Sequence, residues 1–419
     1  MNTDVHRLTK VMVAAITVLF LMTGRASAQP CGGYEVTAII QAPACPPFGP
    51  RPTSGYGLSE QGDVVGRYLD CANAYSQAFM WSPKTGFVIL PTPPENIASV
   101  AHGIEGSRIV GTFDLSGDGL AGLAFVYDYE ADEFINLGTF PKGNYSSGRA
   151  INTNMQVTGY WGNFVNGDPP GLVFLWEDGV MNDLGPAIGG VGNRAFGINE
   201  VAAITGWWRE ADGDEQIAFL WHDGRMTDLG PIPGGFTSQG LGINIHNQIT
   251  GAGLLPEPDG PGTLTRAFLW ENGQMINLGT LPGFPRSAGL GVNDDRIVVG
   301  RLWGNGESGI IWQDGVMTDL NELISGDLDL HVFVANAINN AGQITGTASV
   351  PTGIAAVLLT PIERRLGDLD GDCAVGVSDL LMLLADWGPC GDCGGCLADL
   401  NGDCLVGVAD LWILLMNWG

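Results

Sequence analysis

The chain has 419 residues, 45% of them hydrophobic and only 15% charged, which supplies a large core and excludes a disordered polypeptide. A formal net charge of −27 disfavours nucleic acid and anionic lipid as partners and suits cation binding. Sixty-four glycines, with few long amphipathic stretches, favour many short strands joined by tight turns.

Residues 1–28 read as a bacterial-type secretory signal peptide. Arg7 and Lys10 give the positive start, residues 11–24 form an apolar run too short to span a bilayer, and Ala26-Ser27-Ala28 offers a small-x-small site for cleavage after Ala28. Their removal takes away three basic residues and one acidic one, leaving −29. The expectation is a secreted or cell-surface protein with no membrane span in its mature chain.

Residues 29–361 carry an internal repeat. A small residue, an aliphatic one and often Asn are followed by a turn, an apolar strand and a glycine, as in Gly197-Ile198-Asn199 to Gly206 and Gly242-Ile243-Asn244 to Gly251. The closing glycines are Gly66, Gly111, Gly159, Gly206, Gly251, Gly300 and Gly346, at intervals of 45 to 49 residues. Downstream of each lies a strand such as Ala218-Phe219-Leu220-Trp221, then His222-Asp223-Gly224 and Met226-Thr227-Asp228-Leu229. The Asp-Gly and Asn-Gly pairs are hairpin signals, because these residues accept positive backbone angles.

Each unit therefore predicts four short strands in about 46 residues, the size of a propeller blade. The seventh unit, from His331 to Leu359, lacks a fourth strand, while residues 34–40 form a strand without a unit. Pairing the two predicts a seven-bladed β-propeller whose ring is closed by chain ends, with the repeated Phe and Trp filling the spaces between blades. If the first strand of each blade is innermost, one face collects the longer loops and their carboxylates, among them Asp114, Asp118, Asp168, Asp212, Asp214 and Asp259. That face is the expected place for a glycan or protein ligand.

The Ala-Phe, Leu-Trp, Asp-Leu-Gly and Gly-Ile-Asn elements resemble the extracellular HAF-repeat family, across about 320 residues. The His of its naming triplet is replaced here by Ile217 and Arg266. The resemblance implies an exported repeat protein and no catalytic activity.

Residues 362–419 hold ten acidic residues against two arginines and a tandem duplication with a 31-residue offset. Asp368, Asp370, Asp372 and Asp379 occupy positions 1, 3, 5 and 12 of one twelve-residue loop; Asp399, Asn401, Asp403 and Asp410 occupy them in the next. Oxygen ligands at this spacing suit an EF-hand-like calcium site, so two Ca2+ ions are expected. Short apolar helices are predicted at 380–387 and 411–418. The duplication resembles the type I dockerin, which implies calcium binding and docking to a cohesin-like or cell-surface partner, with Val377-Ser378 and Val408-Ala409 at the partner-reading positions. Position 6, usually Gly, is Cys373 in one loop and Cys404 in the other, so either the turn differs or a disulfide holds it.

Of eight cysteines, Cys31, Cys45 and Cys71 lie near the start and Cys373, Cys390, Cys393, Cys396 and Cys404 near the end. With no histidine nearby, the cluster at 390–396 favours disulfides over zinc. His102, His222, His246 and His331 fall at different places in their repeats and suggest no shared metal ring. Neither HExxH, GxSxG, a phosphate loop nor a recognisable Ser-His-Asp set occurs. The favoured reading is a calcium-binding scaffold protein whose propeller is the binding platform and whose tail is the attachment module. The competing reading is an exported polysaccharide hydrolase or lyase carrying a dockerin.

Overall fold

The computed structural model describes residues 30–44, 49–71, 75–94, 96–115, 121–163, 171–185, 190–210, 213, 215–258, 260–326, 328–363, 365–371, 374–391 and 396–419. The expected leader lies outside them, as do Cys45, Asp118, Asp168, Asp212, Asp214, Asp259, Asp372, Cys373 and Cys393. The chain divides into two compact units, one of them residues 34–360, the other including residues 361–419. Among the described residues no helix is long and apolar enough to cross a membrane.

The larger unit is a seven-bladed propeller of four-stranded sheets. Six blades are built from consecutive strands, at 53–89, 98–138, 145–183, 192–228, 239–279 and 286–319. The seventh runs His331–Ile338, Ile344–Val350, Gly353–Glu363 and then Pro30–Ile40, so the first strand of the chain completes the last blade as expected. Thr37 and Thr360 bond through their hydroxyls at 2.5 Å across this closure.

Three repeated side chains explain why the sequence folds this way. On the third strand of five blades one Phe is fully buried: Phe79, Phe125, Phe174, Phe219 and Phe268. These rings pack between sheets: Phe174 and Trp176 of the third blade meet Val110, Ala124 and Val126 of the second. Burial of one such side chain contributes about 1.5–3 kcal/mol.

The Asn of Gly-Ile-Asn is also buried and works as a strap. Asn199 accepts from the backbone N–H of Ala203 at 2.9 Å and donates its Nδ2 to the Asn244 carbonyl of the next blade at 2.8 Å. Asn152, Asn244 and Asn293 repeat the link, and Asn339 donates to the Ser59 carbonyl, carrying it from blade seven to blade one. Blades one and two, the weaker copies in sequence, break the chain of straps. Ser59 keeps the local cap, accepting from the Asp63 N–H, but has no amide to reach onward. Blade two turns in a two-residue hairpin between Glu105 and Arg108, with no room for the four-residue cap.

The closing glycine answers to a close approach. In every blade the first strand carries a one-residue bulge, which drives its backbone against the second strand. A Cβ on Gly206 would sit 1.8 Å from the Arg194 carbonyl oxygen, and the other six closing glycines meet the equivalent oxygen at 1.8–2.2 Å.

The smaller unit holds two helices, α1 (Val377–Ala385) and α2 (Val408–Met416), and a short ribbon pairing Gly388–Pro389 with Leu405–Val406. Both helices start three residues earlier than predicted. The reason is a carboxylate in the first turn: Asp379 accepts from the Gly376 N–H at 2.7 Å, and Asp410 from the Gly407 N–H at 2.8 Å, satisfying donors that would otherwise be orphaned. Leu369, Val375 and Leu383 and their copies 31 residues on, Leu400, Val406 and Leu414, build a shared core.

Candidate functional site

The seven first strands surround one axial cavity of about 590 Å³. The first strand is therefore innermost. Its bulge residue has no partner on the second strand and turns its side chain to the axis, a device that re-aims side chains at functional sites. The seven bulge residues all line the cavity and all are half-buried. In ring order, Asn336, Tyr56, His102 and Arg149 form a polar arc from blades seven, one, two and three. Phe196, Leu241 and Leu290 form an apolar arc from blades four, five and six. Two residues further along each strand lies an aliphatic ring running from Leu58 to Ile338.

The polar arc is held by its own contacts. The Arg67 guanidinium, from the second strand of blade one, lies 6.0 Å from the Tyr56 ring centroid, and Tyr56 stacks on His102 at 6.4 Å. Arg149 Nη1 is 3.3 and 3.2 Å from the two His102 ring nitrogens, so the cation lies equally close to both and is not aimed at one lone pair. The same guanidinium lies 5.2 Å from the Phe196 centroid, where the two arcs meet. Asn336 donates Nδ2 to the Gly55 carbonyl at 2.6 Å, tying blade seven to blade one.

Electrostatically the cavity inverts the rest of the chain. Among the described residues no Asp or Glu lines it, while Arg67 and Arg149 do, and neither forms an ion pair. Burial, and then the positive charges of Arg149 and Arg67, hold the His102 pKa well below the ordinary imidazole value, so the ring is neutral at pH 7.

Sequence reasoning placed ligand binding on the acidic loops and, of the seven bulge residues, weighed only His102, as a possible metal ligand. Of the carboxylates named for that face, Asp114 is the one among the described residues; it does not line the cavity. A signal was present in the sequence. The residue between the two small ones, as in Gly55-Tyr56-Gly57, Ala101-His102-Gly103 and Gly148-Arg149-Ala150, varies most where its neighbours vary least.

The tail presents the second candidate site. Ligand oxygens of Asp368, Asp370 and Asp379 lie within 4.8 Å of one another, close enough to share a cation. Asp379 is fully buried and accepts from the N–H groups of Leu369 at 2.6 Å and Asp370 at 3.1 Å as well as Gly376. Burial alone would raise its pKa; the backbone N–H donors, its own among them, outweigh that and hold it below the ordinary carboxylate value.

In the second loop Asp410 makes the matching bonds to Leu400 and Asn401. Asp399 accepts from Gly402, Asp403 and Cys404, and Asn401 Nδ2 donates to Asp403 at 3.0 Å. Asp399, Asp403 and Asp410 do not gather into a three-carboxylate cluster of the first loop's kind. Cys404 takes φ 66°, the left-handed angle that glycine usually supplies, and it is disulfide-bonded. The turn is kept, and a covalent bond accompanies its cost. Cys390 and Cys396 form a disulfide too, and Cys71 is disulfide-bonded near the other end of the chain.

No family's sequence profile matches the chain, and no curated protein matches it in sequence. Solved structures do. The β-propeller domain of the Trilobed protease from Pyrococcus furiosus is 11% identical with a TM-score of 0.48, over 74% of this chain and 95% of that one. A Pyrococcus horikoshii acylaminoacyl peptidase is 10% identical with a TM-score of 0.48, over 75% of this chain. The match spans about half of the peptidase, 51% of its length. An oligogalacturonate lyase from Vibrio parahaemolyticus is 8% identical with a TM-score of 0.46, over 77% and 91%. At such identities and scores no activity passes from these proteins to this chain, and the propeller is read from its own strand order.

Proposed function

We propose that this protein is an exported or cell-surface binding protein, with the HAF-like propeller as its binding platform and a calcium-loaded, dockerin-like tail as its attachment module. One observation carries the first half. The repeat keeps the closing glycine in all seven blades and the buried Phe in five, and varies the seven residues that face the axis, so ligand choice can change without disturbing the scaffold. The exported hydrolase or lyase is the weaker reading, because a pair of carboxylates flanking a bond is the usual glycosidase requirement. No carboxylate lines the axial cavity among the described residues.

For the tail, the donor set fits a hard divalent cation. Asp368, Asp370, Asp372 and Asp379 would hold one ion, and Asp399, Asn401, Asp403 and Asp410 a second; calcium there neutralises clustered carboxylates and fixes both loops. Apolar side chains left exposed on the helices fall at equivalent places: Val377, Leu381 and Leu384 on α1, and Val408, Trp412 and Leu415 on α2. Such a duplicated apolar face suits a cohesin-like or surface partner.

The test pairs two assays on the mature chain, turnover of a broad glycan panel and binding to glycan and cell-wall arrays. Binding without turnover supports the platform; turnover replaces it with the enzyme. Calorimetry with calcium, and with an Asp368→Asn/Asp399→Asn double variant, decides the tail.

A further inference from the structure

We propose that the axial cup of the propeller is a binding site for a small organic carboxylate with an apolar body, its carboxylate held by Arg149 and Arg67 and its body lying on Phe196, Leu241 and Leu290. This rests on the platform reading above and names the ligand class of that platform.

Charge is the first ground. In a chain of net charge −27, two guanidinium groups face a cavity that, among the described residues, has no carboxylate and offers them no ion-pair partner. A long-range negative field from the rest of the molecule makes that local inversion a selective feature: a freely diffusing anion gains attraction only within the cup, at short range. Guanidinium is the group suited to planar, two-point recognition of a carboxylate.

The ring's division is the second ground. An inorganic anion would use the polar arc and leave three apolar side chains against water, whereas a purely apolar ligand would leave two cations desolvated without compensation. A ligand with one end of each kind satisfies both. Size agrees, since about 590 Å³ lies within the range of small-molecule pockets and far below what a folded partner needs.

The third ground is preorganisation. Contacts from Tyr56 through His102 to Arg149 and Phe196 hold the middle of the polar arc before any ligand arrives, with the more exposed Arg67 at its rim. Little side-chain entropy is then lost on binding. Neutral His102 adds no third charge, so a single carboxylate meets two cations and not three.

Isothermal calorimetry on the mature chain at low ionic strength would compare 3-phenylpropanoate, its uncharged amide, galacturonate and inorganic phosphate. The expected order places 3-phenylpropanoate first, with the amide and phosphate each weaker by about tenfold or more. Arg149→Gln, Arg67→Gln and Phe196→Ala should each weaken 3-phenylpropanoate by about tenfold, while Arg301→Gln, which stacks on Trp303 away from the cavity, leaves it unchanged. Thermal melts show which variants are folded. Independently, 3-phenylpropanoate should protect Arg149 and Arg67 of the unaltered protein from phenylglyoxal, read by mass spectrometry.

Equal binding of acid and amide overturns the proposal, as does full binding by all three cavity variants or absence of binding by both carboxylates. If galacturonate exceeds 3-phenylpropanoate and depends on Arg149, the cup reads a sugar acid and the apolar arm of the proposal is wrong. Array binding that survives Arg149→Gln and Phe196→Ala would keep the platform and discard the axial site; loss of all array binding in the unaltered protein would discard the platform itself.

Discussion

Repetition means opposite things in the two halves of this molecule. In the propeller the repeated residues are structural: Phe219 and its copies fill the interfaces, Asn199 and its copies strap the blades, and Gly206 and its copies admit the bulge. The proposed binding chemistry falls on the bulge position, which the repeat lets vary. In the tail the repeat includes the proposed chemistry, because oxygen ligands recur at the same loop positions alongside the packing residues, as Leu369 and Val375 recur in Leu400 and Val406. A duplication copies a site in the second case and only a place for a site in the first.

The sharpest way to break that contrast is at a closing glycine. Gly206→Ala puts a Cβ into the Arg194 carbonyl and should destabilise the propeller by about 3 kcal/mol in denaturant melts, leaving tail signals unchanged. A loss below about 1 kcal/mol would mean that the bulge relaxes freely. Next in size is calcium. At a concentration a hundred times its dissociation constant, the ion should stabilise the tail by about 2.7 kcal/mol, seen as slowed amide exchange in α1, and Asp379→Asn should abolish the effect.

Asn199→Ala removes the acceptor of the Ala203 N–H and one of two donors to the Asn244 carbonyl, and should cost about 2 kcal/mol. The reverse change, Ser59→Asn, restores a strap that blade one lacks and should add about 1 kcal/mol.

The smallest effect is one of sign with pH. Asp379 has a depressed pKa when folded, so its contribution is full above the ordinary carboxylate range and is lost as pH falls through the lower folded value. Glu105 runs the other way. Burial, with Glu200 and Glu60 nearby, raises its pKa, so blade two is favoured in acid and loses stability as pH rises through the ordinary range to the raised value. Amide protection factors, that is exchange rates corrected for the intrinsic pH dependence, should therefore fall from pH 7 to pH 3 in residues 377–385 and not in 98–114.

Much of the architecture was legible because it depends on local rules applied seven times. Asp223-Gly224 and Asn272-Gly273 do adopt positive angles at both residues, 51° and 74° in the first pair and 51° and 78° in the second. Ring closure followed from a missing strand at one end and an extra strand at the other. The axial site was hidden for a physical reason. Its side chains come from points about 45 residues apart, and the bulge that aims them shifts register by one residue without altering composition. Tyr56 in sequence looks like any strand aromatic; only the pairing of Gly55 with Gly66 and of Gly57 with Val65 shows it to be the odd residue out. In the tail the helix starts were misjudged because Asp379 and Asp410 were assigned to the ion alone, when each also serves the helix that follows.

The closure of the ring has a consequence for how the protein comes to exist. Thr37 and Thr360 are 323 residues apart in the chain, and their strands lie side by side in one sheet. A ribosome delivers one of them first and the other nearly last. Six blades can assemble as they emerge, but the opening strand must wait, unpaired and rich in β-branched residues, until its partner has been made. Closing the ring is therefore a pairing of the oldest with the youngest part of the propeller, the kind of long-range contact that slows folding.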